Sequence, residues 1–395
     1  MPPATRASST APAVPLWRRP RTRSIVYQVL LCLAVAALAF AAIDNAVENL
    51  ARAKIASGFG FWNVTAGFDI SQTLISYSAQ ASTYGRAFWV GLLNTLLVAV
   101  LGIVLATVLG FLIGIGRLSH NYLVAKLAGG YVELIRNIPL LLQLLFWYNA
   151  VLKALPEIRD SIALPGGGYL NNRGLFVPDP QVTGGGTVAL ALLGGIVAAG
   201  LFRATRERLG PLGRGAPRAV ITALLIVAPP LVAALLSGLT VAFELPEMGR
   251  FNIRGGLEVL PEFVALLAGL SIYTAAFIAE AVRAGLLAVP KGQTEAAYAL
   301  GLRRGAALRL VIVPQAMRVI VPPLTNQYLN LTKNSSLAVA IGYPDLVQIF
   351  TGTVLNNTGQ AVEVVVITMA VYLTLSLATS GLMNWYNAWI TPAER

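Results

Sequence analysis

One cysteine and one histidine occur in 395 residues, and two large classes of chemistry are lost with them. A lone Cys32 makes no disulfide framework within the chain. A lone His120 leaves no metal-ligand cluster and no nucleophile–base pair around which to build an active site. Charge is scarce too. Only 12% of residues are Asp, Glu, Lys or Arg, roughly half of what a soluble domain carries. A phosphate-binding loop reads Gly-x-x-x-x-Gly-Lys-Ser/Thr, and the chain has no Gly-Lys dipeptide at all. These gaps leave no catalytic residue and no metal site to name.

What is abundant is apolar sequence. Hydrophobic residues make up 56% of the chain, and the mean hydropathy is +0.70. A helix needs about 20 apolar residues to cross the roughly 30 Å hydrocarbon layer. Runs of about that length lie near Ile25–Ile43, Phe88–Gly116, Tyr131–Leu152, Thr187–Phe202, Ala219–Val241, Phe263–Leu287, Val319–Ile341 and Ala361–Trp385. Backbone groups in lipid must be satisfied within the segment, so these eight runs predict helices. Period-2 alternation of the barrel kind is missing. The fold class is an all-α integral membrane protein.

A net charge of +12 raises the possibility of a nucleic-acid partner, but its placement excludes one. The basic residues gather in the tail (Arg18, Arg19, Arg21, Arg23) and in two loops, 203–218 and 288–318. Eight spans put all three on one side, which the positive-inside rule makes cytoplasmic. Both termini are then inside. The organisation reads as a basic tail over 1–24, a first helix and external loop over 25–87, and a main membrane domain over 88–386. Within that domain, segment 154–262 carries two extra helices. Its Gly- and Pro-rich stretch 156–186 predicts an irregular external loop. A rival reading of the first span is a signal peptide with Ala39-Phe40-Ala41 at its cleavage site. The remaining topology is the same either way.

The stretch after the sixth span carries the mechanism. Pro290 to Ala299 predicts a short helix beginning near Gln293 or Thr294. Gly301 bends or breaks it, and a second short helix over 305–313 meets Pro314. The result is a helix–turn–helix at the membrane surface. Ala296, Ala297 and Ala299 permit close approach by a partner, and Glu295, Arg303, Arg304 and Arg309 fix orientation. The competing reading is an amphipathic interfacial helix, which needs a wider apolar face than this one offers.

Glu295-Ala296-Ala297, three residues, Gly301, nine residues and Val311-Ile312-Val313-Pro314 resembles the cytoplasmic coupling loop of ABC-importer permeases. Valine stands in two positions usually occupied by other aliphatic residues. The flanks are similar to the polar and general L-amino-acid branch, the histidine/glutamine type. They are Glu133–Leu141, Tyr273–Gly285, Pro314–Arg318, Pro322–Asn326 and Lys333–Leu337. The resemblance implies a permease subunit in a bacterial inner membrane. Its implied partners are a separate ABC ATPase holding ATP and Mg, a second homologous permease, and a periplasmic amino-acid-binding protein. The substrate it implies is a polar L-amino acid. Glu295, Ala296, Ala297 and Gly301 would contact the ATPase.

Other polar residues fall within apolar runs. Lys333, Asn334, Ser335 and Ser336 are expensive there and mark a candidate substrate path, with Lys333 as counter-charge to a carboxylate. The alternatives are hydrogen bonding between helices or Lys333 snorkelling to an interface. Glu280 and Arg283, like Glu133 and Arg136, are spaced to pair along one helical face, with a gate or a place on the candidate substrate path as the alternative. Gly110 and Gly114 suit close helix packing. Pro322-Pro323 should kink or interrupt the seventh span. An ion-coupled secondary transporter is the runner-up, but it needs inverted repeats or buried acid relays, and neither is present.

Overall fold

The computed structural model describes residues 20–52, 58–183, 185–205, 218–249 and 252–390. The basic tail before residue 20 and most of the basic loop 203–218 lie outside them. Among the described residues, six helices are long and apolar enough to cross a membrane: Arg23–Ala42, Tyr84–Gly116, Gly185–Phe202, Pro261–Leu287, Arg304–Ile341 and Ala361–Ala388. A seventh candidate is a helix pair bent by 105°.

The elements, in chain order, begin with α1 (Pro20–Arg52), exposed along its described length, and a 3-10 turn at Phe59–Asn63. Then come α2 (Tyr84–Gly116), α3 (Tyr122–Asn137) and α4 (Leu140–Leu145), which runs into a π turn over Phe146–Leu152. Thr83 caps α2 by accepting from the Arg86 N–H.

The expected third span over 131–152 is not one straight helix. Pro139 has no N–H to donate and forces Ile138 out of the helical region, to φ −102° and ψ 126°. Gln143 then takes up the freed acceptors, its Nε2 donating to Ile135 O and Ile138 O at 2.9 Å each.

The stretch 156–186, expected as an irregular external loop, instead carries short strands. Four short strands, β1 (Ile162–Leu164), β2 (Gly168–Asn171), β3 (Gly174–Val177) and β4 (Asp179–Thr183), lead to α5 (Gly185–Thr205) and α6 (Arg218–Leu236). β5 (Thr240–Glu244), β6 (Glu247–Met248), β7 (Ile253–Arg254) and β8 (Leu257–Val259) return the chain. One sheet has the antiparallel order β1-β2-β3-β8, while β4 pairs with β5 and β6 with β7. Gly166 and Gly167, at φ 92° and 86°, make the β1–β2 turn that residues with a Cβ resist. α5 and α6 therefore stand as a hairpin on the β4–β5 ribbon.

The bundle closes with α7 (Pro261–Leu287), α8 (Lys291–Ala299), α9 (Arg304–Ala307), a π turn over Leu308–Ile312 and α10 (Val313–Asn334). A 3-10 segment over Ser335–Ile341 and a π turn over Gln348–Val354 follow, then α11 (Leu355–Thr358) and α12 (Ala361–Ile390). Pro322 and Pro323 do not interrupt α10. Val321 and Leu324 beside them are buried and hold the helix in place while the two rings face outward.

α7 is the central element. It packs on α2, α10, α3 and α4, burying Leu266, Leu270 and Ile278 against Val98, Ile320 and Leu331. Gly110 and Gly114 let α2 approach it closely. A methyl group at Gly110 would lie 2.5 Å from Ile278 Cγ2, and one at Gly114 would lie 2.8 Å from Ala279 O. A second core joins Phe61, Phe88 and Phe350, so the segment from 58 to 83 covers the N-terminal end of α2. Gly58 N donates to Glu363 at the start of α12 and fastens the same cover.

Candidate functional site

The end of α7 and the turn that follows build the first site. Lys291 to Ala299 is helical because Pro290 starts it with a fixed φ and alanines carry it. It stops at Gly301, which takes φ 76°. The turn is closed by Leu300 N–H to Ala296 O, Gly301 N–H to Tyr298 O and Leu302 N–H to Ala297 O. After it the chain enters α9 and, through a π turn, α10. The second helix is thus the root of the next span rather than a separate piece ending at Pro314.

The two faces of α8 differ. Ala297 is 3% exposed and packs inward, as does Ala307 of α9. Ala297, expected with the other alanines to serve a partner, thus lies on the inward side of α8. Glu295, Ala296 and Ala299 face out, with Tyr298 and a Leu300 that is 82% exposed. Gly301, Arg303 and Arg304 are exposed as well. Gln315 Nε2 donates to Gln293 Oε1 at 3.0 Å and ties α8 to the base of α10.

Just inside this turn, Glu280 of α7 gathers three arginines. Arg117, which ends α2, donates to one carboxylate oxygen, and Arg283 donates to the other at 2.6 Å. Arg136 of α3 reaches Glu280 at 3.8 Å and lies 5.1 Å from the centre of the Phe277 ring. The expected Glu133–Arg136 pair is replaced by this contact between helices, because the end of α3 faces α7. Three helices thus meet on one carboxylate.

The polar cluster at the end of α10 divides. Lys333 is exposed and Asn334 is half-buried. Ser335 is buried and its Oγ donates to Thr332 O at 2.8 Å, while Ser336 Oγ donates to Lys333 O at 2.7 Å. Both hydroxyls are therefore engaged by their own backbone. Asn326, Asn330 and Lys333 are spaced four and three apart and share one exposed face of α10. That face also carries Pro322.

Sequence reasoning passed over a buried network that reaches Ser335 through Tyr372. Asp345 is fully buried. Its Oδ1 accepts from Gln348 N–H at 2.8 Å and its Oδ2 from Tyr372 OH at 3.1 Å. Asn94 of α2 donates to Pro344 O and Gln72 O, and Thr95 Oγ1 accepts from Leu346 N–H. One signal was available. Asp345 is the sole carboxylate between Glu295 and Glu363.

Against known proteins, residues 106–392 match the family model for the binding-protein-dependent transport system inner membrane component. The chain is 52% identical over 378 residues to the general L-amino acid transport system permease protein AapQ of Rhizobium johnstonii, covering 95% of this chain and 94% of that one. It is 50% identical to the putative amino-acid ABC transporter permease protein YhdX of Escherichia coli, covering 95% and 96%. It is 43% identical to the glutamate/glutamine/aspartate/asparagine transport system permease protein BztB of Rhodobacter capsulatus, covering 95% of each. With apolar spans, an outward-facing α8 and these matches together, the chain belongs to the family of binding-protein-dependent transport system inner membrane components.

Proposed function

We propose that this chain is the permease subunit of an ATP-driven importer of polar L-amino acids, embedded as a multi-pass protein in a bacterial inner membrane. The observation that carries the reading is α8. It is a short helix set off from the end of α7 at Pro290 and turned into α9 by Gly301, with Glu295, Ala296 and Leu300 facing outward. The names of the relatives supply the substrate class. A separate ABC ATPase binds the outward face of α8, with Arg303 and Arg304 beside it. ATP and Mg reside on that ATPase, and this chain holds no cofactor. A periplasmic amino-acid-binding protein delivers the substrate from the opposite side.

A second homologous permease completes the pathway. Asn326, Asn330 and Lys333 form a polar face that lipid would leave unsatisfied, so the face belongs against the partner or a watery cavity. Lys333 is there the counter-charge for the substrate carboxylate. Ser335 and Ser336 support the helix end through their backbone bonds. Glu280 and Arg283 act as a joint between helices rather than as substrate ligands. The eight-span topology with both termini inside counts the bent α3–α4 pair and α6 as spans.

Uptake into proteoliposomes holding the purified complex tests the reading. Import of a labelled polar amino acid should require ATP and the binding protein, and should continue when an ionophore collapses the proton gradient. Import that stops with the gradient while ATP is maintained would establish the ion-coupled secondary transporter instead.

A further inference from the structure

A cleft of about 900 Å³ opens beside the coupling turn, between the ends of α2 and α7, the 117–121 turn and α9 with its π turn. Three candidate membrane spans begin or end at this point: one ends at Gly116, one ends at Leu287 and one starts at Arg304. The cleft therefore lies where hydrocarbon gives way to headgroups, whichever side of the membrane it occupies.

Its walls change character along that depth. Leu112, Ile115, Leu308 and Ile312 line the part within the spans. The first three are 64%, 55% and 49% exposed, so the rest of the described chain leaves about half or more of each open. Arg304 and His120 stand at the mouth, where the spans end. Among the described residues, no carboxylate lines the cleft. Apolar walls below a fixed cation match an amphiphile with a negative head, and a cationic or neutral one gains nothing from Arg304. The π turn contributes directly. Leu308 and Ile312, its first and last residues, both line the cleft, and such turns recur at functional positions. Thr294, on the inward side of α8, borders the same space. An occupant would touch the coupling helix from behind and leave its outward face free.

We propose that this cleft binds one anionic phospholipid, with its phosphate on Arg304 and His120 and an acyl chain along Leu112, Ile115, Leu308 and Ile312. The inference needs the membrane spans but not the amino-acid reading, and its test contains no transport substrate.

Native mass spectrometry of the delipidated full-length protein, titrated with dioleoyl phosphatidylglycerol or dioleoyl phosphatidylcholine, reads the binding. One phosphatidylglycerol per chain should bind at least about fivefold more tightly than phosphatidylcholine. That factor corresponds to about 1 kcal/mol per basic residue at an anionic surface. Arg304→Gln with His120→Asn should remove the preference, and both side chains are exposed, so the fold should tolerate the change. Leu308→Asp, which places a charge in the apolar part, should weaken both lipids. Equal retention of the two lipids, or a preference unchanged in the double variant, overturns the proposal. Displacement of the lipid by millimolar inorganic phosphate overturns it as well and makes the site one for a free anion.

Discussion

Arg117 at the end of α2 donates to the Glu280 carboxylate of α7, 163 positions further along the chain. With Arg283 and Arg136 on the same group, one acid neutralises part of a cluster of three guanidiniums where α2, α3 and α7 converge. The convergence point sits about two turns before the end of α7, which leads into the coupling helix. Any swing of α3 against α7 must work through it.

Glu280→Ala removes the carboxylate those guanidiniums share and leaves three like charges close together. Each lost charged hydrogen bond costs about 1.5–3 kcal/mol. The apparent melting temperature in detergent should fall clearly, and Glu280→Gln should fall less because it keeps one acceptor. Equal melting of the alanine variant and the parent would show that the cluster contributes nothing to the packing of α3.

The Gly301 turn makes a sharper demand. At φ 76° a residue with a Cβ pays about 1–2 kcal/mol, and a β-branched one pays more. No other atom lies within 4 Å of where that Cβ would sit, so crowding is not the issue. Gly301→Val should therefore cut ATP-dependent uptake at least about tenfold, whereas Gly301→Asn, which tolerates this conformation, should keep most of it. Identical uptake by the two variants would mean that the backbone geometry of the turn is unimportant.

Asp345 separates shape from charge. Asp345→Asn can keep the Gln348 N–H bond through its oxygen and offer its NH₂ group to Tyr372 Oη. Asp345→Ala strands the Gln348 N–H, at about 1–3 kcal/mol, and takes from the Tyr372 hydroxyl one partner while leaving it Ser335 and Thr95. Protein yield and melting temperature should drop for alanine and stay near the parent for asparagine. A drop in both variants alike would point to a need for the negative charge itself.

Lys333 tests the pathway. Lys333→Gln should raise the substrate KM for uptake by about tenfold or more, with Lys333→Arg recovering part of the loss. The complex should still assemble, because the side chain is exposed. Unchanged KM and rate in Lys333→Gln would remove the counter-charge role.

Much of this was legible in the sequence because membrane helices follow from composition and length alone. The α8 turn was legible because Gly301 follows Glu295-Ala296-Ala297 at a fixed spacing. Which alanine faces inward was not, since that depends on α9 and its π turn returning beneath α8. The strands of segment 154–262 escaped for a similar reason. β3 has four residues, and its partner β8 lies some eighty positions away, across the α5–α6 hairpin. The break at Pro139 was readable from the residue itself but was outweighed by the apolar run around it. The Asp345 network depends on contacts between elements far apart in sequence, and no local pattern announces such contacts.

The central claim is that an ATPase grips the outward face of α8. Affinity purification of the full-length protein from its native membrane in mild detergent, with mass-spectrometric identification and quantification of partners, tests it most directly. The unaltered chain should bring down a P-loop ATPase and a second permease. Ala296→Trp, which sets bulk on the exposed docking face, should lose the ATPase and keep the permease. An ATPase recovered in equal amount with Ala296→Trp would contradict the account, as would a cross-linked preparation of the unaltered chain that contains no ATPase.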